Sequence, residues 1–545
     1  MNILKRNNKL VYRILSYCVL VFCITMLISC DKGFKDMNTN PNAYTDPLLG
    51  NLWSYTIIRT AGSDDRNTQY PHDKLGGAMM QWWASLNAYQ WTGDKYLHKL
   101  DYSEGLYLIT YDTELKGTQH LINLTKDNPD LSNHYNILRI FRVYIMHRCT
   151  DFYGDVPYFE AGQGDLGILK PKFDRQELIY KDMLKELEEA ANNLDPSKPS
   201  WGAADYIYKG DVMQWKKWAY SLMLRLGLRC TKVDLGLAET WVKKAIAGGV
   251  MTSTNDIPTL EHTSGTGLNY NQHTYRFARG EVVPPGQQGR GYGKTGETFV
   301  TMLRDTRDPR LPFYITLWPG NQPNATAATI AESTRFEVQK GLPHGHDAAS
   351  ILTLYPSWDN NTYQEFSEVN LQRIGREDAP TIFQHYSEVE LYLAEAALRG
   401  WTNGTTPKEH YEKGVRASMD YMRLFPSAMT YRIPVSEVDD YLARYPYKET
   451  SDGASFEEQM EQIHTQLWLA IYLDGIEEFA NWRRTEYPRL TPTNYPGNQT
   501  NGTIPRRLPY PLREQDRNRE NYDEAIKNQG LNLWTVRVWW DKKLD

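Results

Sequence analysis

Three short stretches carry residue types that could do chemistry. In "GRGYGKTGETF", Gly291, Gly293 and Gly296 satisfy G-x-G-x-x-G, and Gly293-Lys294-Thr295 resembles the end of a phosphate loop. A phosphate loop also needs glycine five residues before Gly293, where Gln288 stands, and a dinucleotide loop needs a strand before it. Here the lead-in is "VVPPGQQ", so nucleotide binding is not expected. His344-Gly345-His346-Asp347 has two imidazoles and a carboxylate but no third and fourth ligand at recognisable spacing. It reads as a loop with two exposed histidines. The third stretch, "HDKLGGAMMQWWASLNAYQWTGD" (His72 to Asp94), packs Gln81, Trp82, Trp83, Asn87, Tyr89 and Trp91 into 11 residues. Flat ring faces beside amides suit a sugar: rings stack on its C–H face, and amides bond its hydroxyls. On a helix, Trp83, Asn87 and Trp91 would share one face. If the helix stops near Leu86, Asn87 to Trp91 form a loop instead. Core packing is the competing role for each tryptophan, and one of Trp82 and Trp83 must be core. The candidate ligand residues are Trp83, Asn87, Tyr89 and Trp91, with Trp318 and Trp358, from long loops, as weaker candidates for the same surface.

A fourth reactive group is Cys30. Lys5, Arg6, Lys9 and Arg13 precede an almost wholly apolar run from Ile14 to Ile28, which reads as an export signal too short to span a membrane. Leu27-Ile28-Ser29-Cys30 looks like a bacterial lipobox, in which the thiol takes a diacylglycerol and the chain before it is removed. Ser29 is small and the following "DKGFKDMNTNPNAY" is polar, as such a site requires. Residues 1–29 are then a lipoprotein signal peptide, and 30–45 a lipidated cysteine with a flexible tether. Several acyl chains on one cysteine bind a bilayer stably.

Composition narrows the rest. The 545-residue chain is 41% hydrophobic with a formal net charge of −6. It has no basic field for nucleic acid and no second apolar run able to cross a membrane. Of five cysteines, only Cys149 and Cys230 follow Cys30. They are expected as buried free thiols, with a single pair as the alternative. No Gly-x-Ser-x-Gly elbow is present, and 67 acids make any carboxylate pair uninformative. Neither cofactor nor metal is implied. The 16 tryptophans and 37 tyrosines fit a large core plus a ligand-contacting surface.

The elements that must position these residues are helices. Tyr180, Leu184, Leu187, Ala191 and Leu194 recur at steps of four and three, as do Trp215, Trp218, Leu222 and Leu226. "ETWVKKAIAGG" ends at a glycine pair suited to a C-cap. Tyr386, Val389, Leu393 and Ala396 form another stripe, and "PKEHYEKGVRASMDYM" follows it after a short loop. Such pairs predict a mostly α fold: a tetratricopeptide-like helix-pair scaffold with long irregular loops and a few short strands. The loops are roughly 252–295, 315–380 and 485–515, and long ordered loops are commonly functional. Residues 46–545 are expected to form one domain.

Several motifs, in one order along the chain, resemble the SusD/RagB family of Bacteroidetes surface lipoproteins. They are Phe34 with Asn40-Pro41-Asn42 after the cysteine, "RCTDFYGDVPYFEA", "DTRDPRL", "YLAEAALRG", "RRLPYPLREQDRNRENYDEAI" and "VWWDKK". Taken singly, the middle motifs read as turns and core packing. The resemblance implies a SusD-like fold and a non-enzymatic role. The protein would be lipid-anchored at the cell surface in the outer membrane. It would capture oligosaccharides and deliver them to a SusC-like TonB-dependent transporter. Peptide cargo, or a surface glycan hydrolase, is the alternative.

Overall fold

In the computed structural model the stripes become helices. It describes residues 49–62, 64–263, 270–274, 293–317, 333–358, 362–363, 365–426 and 431–542. Cys30, the signal and tether, Gly291 and Trp318 lie outside them. The early helices are α1 (Leu49–Thr60), α2 (Leu100–Ile109), α3 (Leu115–Thr125), α4 (Ser132–Tyr153), α5 (Gln176–Asn193), α6 (Val212–Arg229) and α7 (Leu235–Gly248). The later ones are α8 (Glu297–Asp305), α9 (Tyr386–Leu398), α10 (Pro407–Asp420), α11 (Val435–Arg444), α12 (Phe456–Ala470), α13 (Gly475–Thr485) and α14 (Arg519–Gln529). From α3 to α7 each helix packs on the next, and α9 packs on α10, α12 and α6. The fold is mostly α, as the periodicity predicts. Among the described residues no helix is long and apolar enough to cross a membrane.

The stripe residues Tyr180, Leu184 and Leu187 and the Trp215–Trp218 pair are fully buried. Helix starts are set locally. Asp211 Oδ1 accepts from the N–H groups of Met213 and Gln214 ahead of α6, and Thr406 and Glu409 cap α10 reciprocally. Cys149 and Cys230 are buried free thiols.

The strands are two-residue pieces: β1 (Trp83–Ala84), β2 (Thr259–Leu260), β3 (Lys294–Thr295), β4 (Ile315–Thr316), β5 (Glu368–Val369) and β6 (Thr381–Ile382). They pair antiparallel as β1–β3, β2–β6 and β4–β5. Four of the six fall inside the long loop stretches, which they tie down.

The scaffold's centre is ionic. Arg225 on α6 makes a two-pronged contact with Glu388 on α9, Nε to Oε1 at 2.7 Å and Nη2 to Oε2 at 2.6 Å. Arg229, one turn on, gives Nη2 to Glu477 of α13 at 2.6 and 2.7 Å. Tyr392 donates to the same carboxylate at 2.6 Å. Arg484 and Glu395 repeat the pattern between α13 and α9. The family-like motifs sit in the same frame. Asp308 and Arg310 of "DTRDPRL" form a fully buried pair, and Asp541 of "VWWDKK" accepts from Lys232 at 2.8 Å.

Glu478 stands apart in that network. It is fully buried and neither carboxylate oxygen has a partner among the described residues. Burial and the neighbouring Glu477 push its carboxyl well above the ordinary carboxylate range. A carboxyl raised in the folded state stabilises the fold below its unfolded pKa, about 4.3, and loses that contribution as pH rises through the folded value. Glu478→Gln is therefore expected to unfold at the same temperature as wild type near pH 4. It should unfold a few degrees higher at neutral pH. Thermal melts from pH 4 to 9 read this; curves that stay parallel would refute it.

Candidate functional site

The aromatic stretch is built on a wide-turn π-helical segment, Gln69–Gly77, that packs against α13. A side chain at Gly76 or Gly475 would collide with the facing backbone, so this close approach needs both glycines. The chain leaves helix at Gln81, which takes a left-handed φ of 63°. Gln81 then serves as a hub. Its Nε2 donates to the Thr491 carbonyl at 2.5 Å and its Oε1 accepts from the Thr298 hydroxyl at 2.6 Å. His344 Nε2 donates to its carbonyl at 3.1 Å. The two histidines of "HGHD" are thus half-buried rather than exposed. Burial holds His344 down at about 4, neutral at physiological pH. Asp347 accepts from the Tyr495 hydroxyl at 2.6 Å. The Ser350 N–H and this hydroxyl lower its carboxyl to about 2. The motif is a fastener between loops.

After Gln81 the chain forms β1, and Trp83 pairs with Thr295, Ala84 with Lys294. The glycine-rich stretch is the other strand. A Cβ at Gly293 would press on the Trp91 ring, and one at Gly296 would overlap the Gln81 carbonyl. Those glycines admit a close crossing of chains. The helical reading of Trp83, Asn87 and Trp91 gives way to the loop reading because β1 intervenes.

Trp83 and Trp91 are core residues, both 0% exposed. Their ring centroids lie 6.2 Å apart, and Trp83 stacks on Tyr472 at 5.6 Å. Neither offers a face to a ligand, which corrects that part of the expectation. The stretch has too many large apolar rings for one exposed surface, and burial takes the two that flank the loop. Asn87 is exposed, but its Oδ1 accepts from the N–H groups of Tyr89 and Gln90 at 3.1 and 3.0 Å. It holds the turn. Tyr89, at the tip, is 76% exposed. Beneath the loop, Lys95 Nζ donates to both Asp94 carboxylate oxygens at 2.9 and 2.8 Å, with both side chains shielded from solvent.

Trp358 comes from the other side. It is half-buried and lies nearly parallel to Phe366, centroids 5.4 Å apart and planes at 24°. Trp358 and Leu86 pack against one small cluster of Ala84, Leu342 and Phe366. Tyr355 and Tyr363 join it. So the structure brings Leu86, just before the Tyr89 loop, and Trp358 to one cluster, although 272 positions separate them in numbering. Tyr355 also lines a groove of about 560 Å³ with Lys340, Glu365, Glu297 and Arg304, a size in the range of small-ligand sites.

Away from this surface, His147, Asp151 and Glu477 are a buried trio of metal-ligating types with ligand atoms within 4.8 Å of one another. Their donors are already engaged. His147 Nε2 accepts from Arg225 at 3.2 Å, and Arg229 stands against both carboxylates. Two guanidinium cations at that spot disfavour a third positive charge.

The exposed aromatic loop, the adjoining groove and the ionic helix scaffold can be compared with known proteins. The profile described as "SusD-like_2: Starch-binding associating with outer membrane" matches residues 41–511.

The chain belongs to the SusD-like family.

SusD-like proteins bind their ligands and are not enzymes. No functionally curated protein matches the chain. Among solved structures, a chitin-binding protein is 29% identical with a TM-score of 0.76, covering 91% of this chain and 100% of that one. An AC2a SusD-like protein of Bacteroidetes is 26% identical at TM-score 0.78, with the same coverage. A SusD homolog from Bacteroides uniformis is 25% identical at 0.72, again covering 91% and 100%.

Proposed function

We propose that this SusD-like protein captures oligosaccharides at the cell surface and passes them to a SusC-like TonB-dependent transporter. In this reading Cys30 carries the lipid anchor and residues 46–545 form the binding body. The observation that carries the site is Tyr89, a tyrosine 76% exposed on a loop whose base is buried tryptophan and a shielded Asp94–Lys95 pair. An aromatic ring held out by a rigid base suits stacking on a sugar face. Trp358, Tyr355 and the groove supply further apolar wall and charged rims that can bond hydroxyls. Asn87 shapes the loop through its Oδ1, and its exposed amide N–H group suits bonding a sugar hydroxyl.

One similar solved structure is that of a chitin-binding protein, so N-acetylglucosamine oligomers are the first ligands to test. Calorimetric titration with the hexamer, alongside a panel of other glycans, reads binding. Tyr89→Ala should weaken the ligand that binds by roughly 5- to 150-fold, the loss of one stacked ring at about 1–3 kcal/mol. A folded Tyr89→Ala protein that binds as tightly as wild type would move the site elsewhere.

A further inference from the structure

Tyr89 is gripped on one face. Lys99, at the start of α2, places Nζ 4.2 Å from the Tyr89 ring centroid and 4.3 Å from that of Tyr102. The same ammonium donates to the Tyr102 hydroxyl at 3.1 Å. Tyr102 is 4% exposed and braced in turn: Lys74 Nζ donates to its hydroxyl at 3.1 Å, and the Tyr70 ring lies 4.5 Å away. The order is therefore a fixed ring, a cation, and an exposed ring.

We propose that Lys99 is a positioning residue, its ammonium clamping one face of the Tyr89 ring to the buried Tyr102 so that the opposite face meets the ligand preformed. This rests on the reading that Tyr89 stacks the ligand. Two effects compete. A cation over one face draws electron density from the ring, which weakens electrostatic attraction at the other. Against that, freezing a mobile side chain on binding weakens affinity about two- to tenfold, a loss that the clamp removes. Stacking on C–H groups is mostly dispersion, which depends on contact rather than ring charge. Pre-positioning therefore wins, and a cation at this range biases an exposed ring's orientation about two- to fivefold.

The clamp can be read without ligand. With 3-fluorotyrosine at position 89, Lys99→Met should move the fluorine resonance toward that of a freely rotating ring, while Lys99→Arg keeps the wild-type signal. An unchanged resonance in Lys99→Met overturns the proposal. Titration with the N-acetylglucosamine hexamer supplies the second arm. Lys99→Met should bind about two- to fivefold more weakly, and add nothing further in a Tyr89→Ala background. Equal losses in both backgrounds overturn the clamp. If Tyr89→Ala binds normally, or no glycan of the panel binds, the stacking reading is what fails, and the fluorine spectrum alone judges the clamp; if only the hexamer fails, the glycan that binds takes its place. Far-UV circular dichroism checks folding, with Lys99→Gln replacing Lys99→Met should the latter misfold.

Discussion

Arg225→Met is expected to destabilise the protein by about 3–5 kcal/mol, the usual cost of stripping one partner from a buried ion pair. Arg225 and Glu388 are both almost wholly buried, and their contact has two short prongs. Removing the guanidinium leaves the Glu388 carboxylate in the core without its countercharge. Burial already pushes that carboxyl up to about 7, and Arg225 opposes the rise. Without Arg225 it rises further and takes a proton, so the loss should be larger at pH 8 than at pH 5. Urea unfolding at the two pH values measures both size and slope. Arg225→Met with Glu388→Leu should recover much of the stability, because two apolar groups replace a pair that had itself to be desolvated. A single mutant as stable as wild type would show that the pair contributes little to the fold.

The second large effect is on location. Cys30→Ser should remove the protein from the outer-membrane fraction almost completely. One acyl chain binds a bilayer marginally, and stable anchoring takes a second signal. A lipidated cysteine carries several chains, and serine carries none. Fractionation has to be done in cells lacking the proposed transporter, since docking to it would retain the protein. A serine variant still wholly in the outer membrane of such cells would refute the anchor.

The scaffold was legible because its signal is local. The stripes through Tyr180–Leu194 and Trp215–Leu226 report burial every three or four residues, and helices follow. The ionic centre was not legible. Arg225 meets Glu388 across 163 positions and Arg229 meets Glu477 across 248, and each charge read alone resembles a surface residue. The site was half legible. Composition marks 81–91 as unusual, but which ring points outward depends on the turn at Gln81 and on a strand partner more than 200 residues away. Lys99 carried no signal, since a lone lysine ten residues past Tyr89 has no periodic relation to it. The glycines at 293 and 296 were a true signal of close approach, with another chain segment arriving where a phosphate would.

The span of the ionic pairs also sets an order of events. While the chain is being made or exported, α3 to α7 exist well before residue 388, and longer still before residue 477. Arg225 and Arg229 then have no acid to face. A helix that must bury two guanidinium groups cannot close its core until their acids arrive. The first half of the chain therefore waits, open, for the second. Folding is expected to complete late, when α9 and α13 dock, and the long sequence separation of these contacts should make that step slow. If the chain is exported as proposed, it gains from this delay, because an unlocked core is still able to pass through a translocation channel.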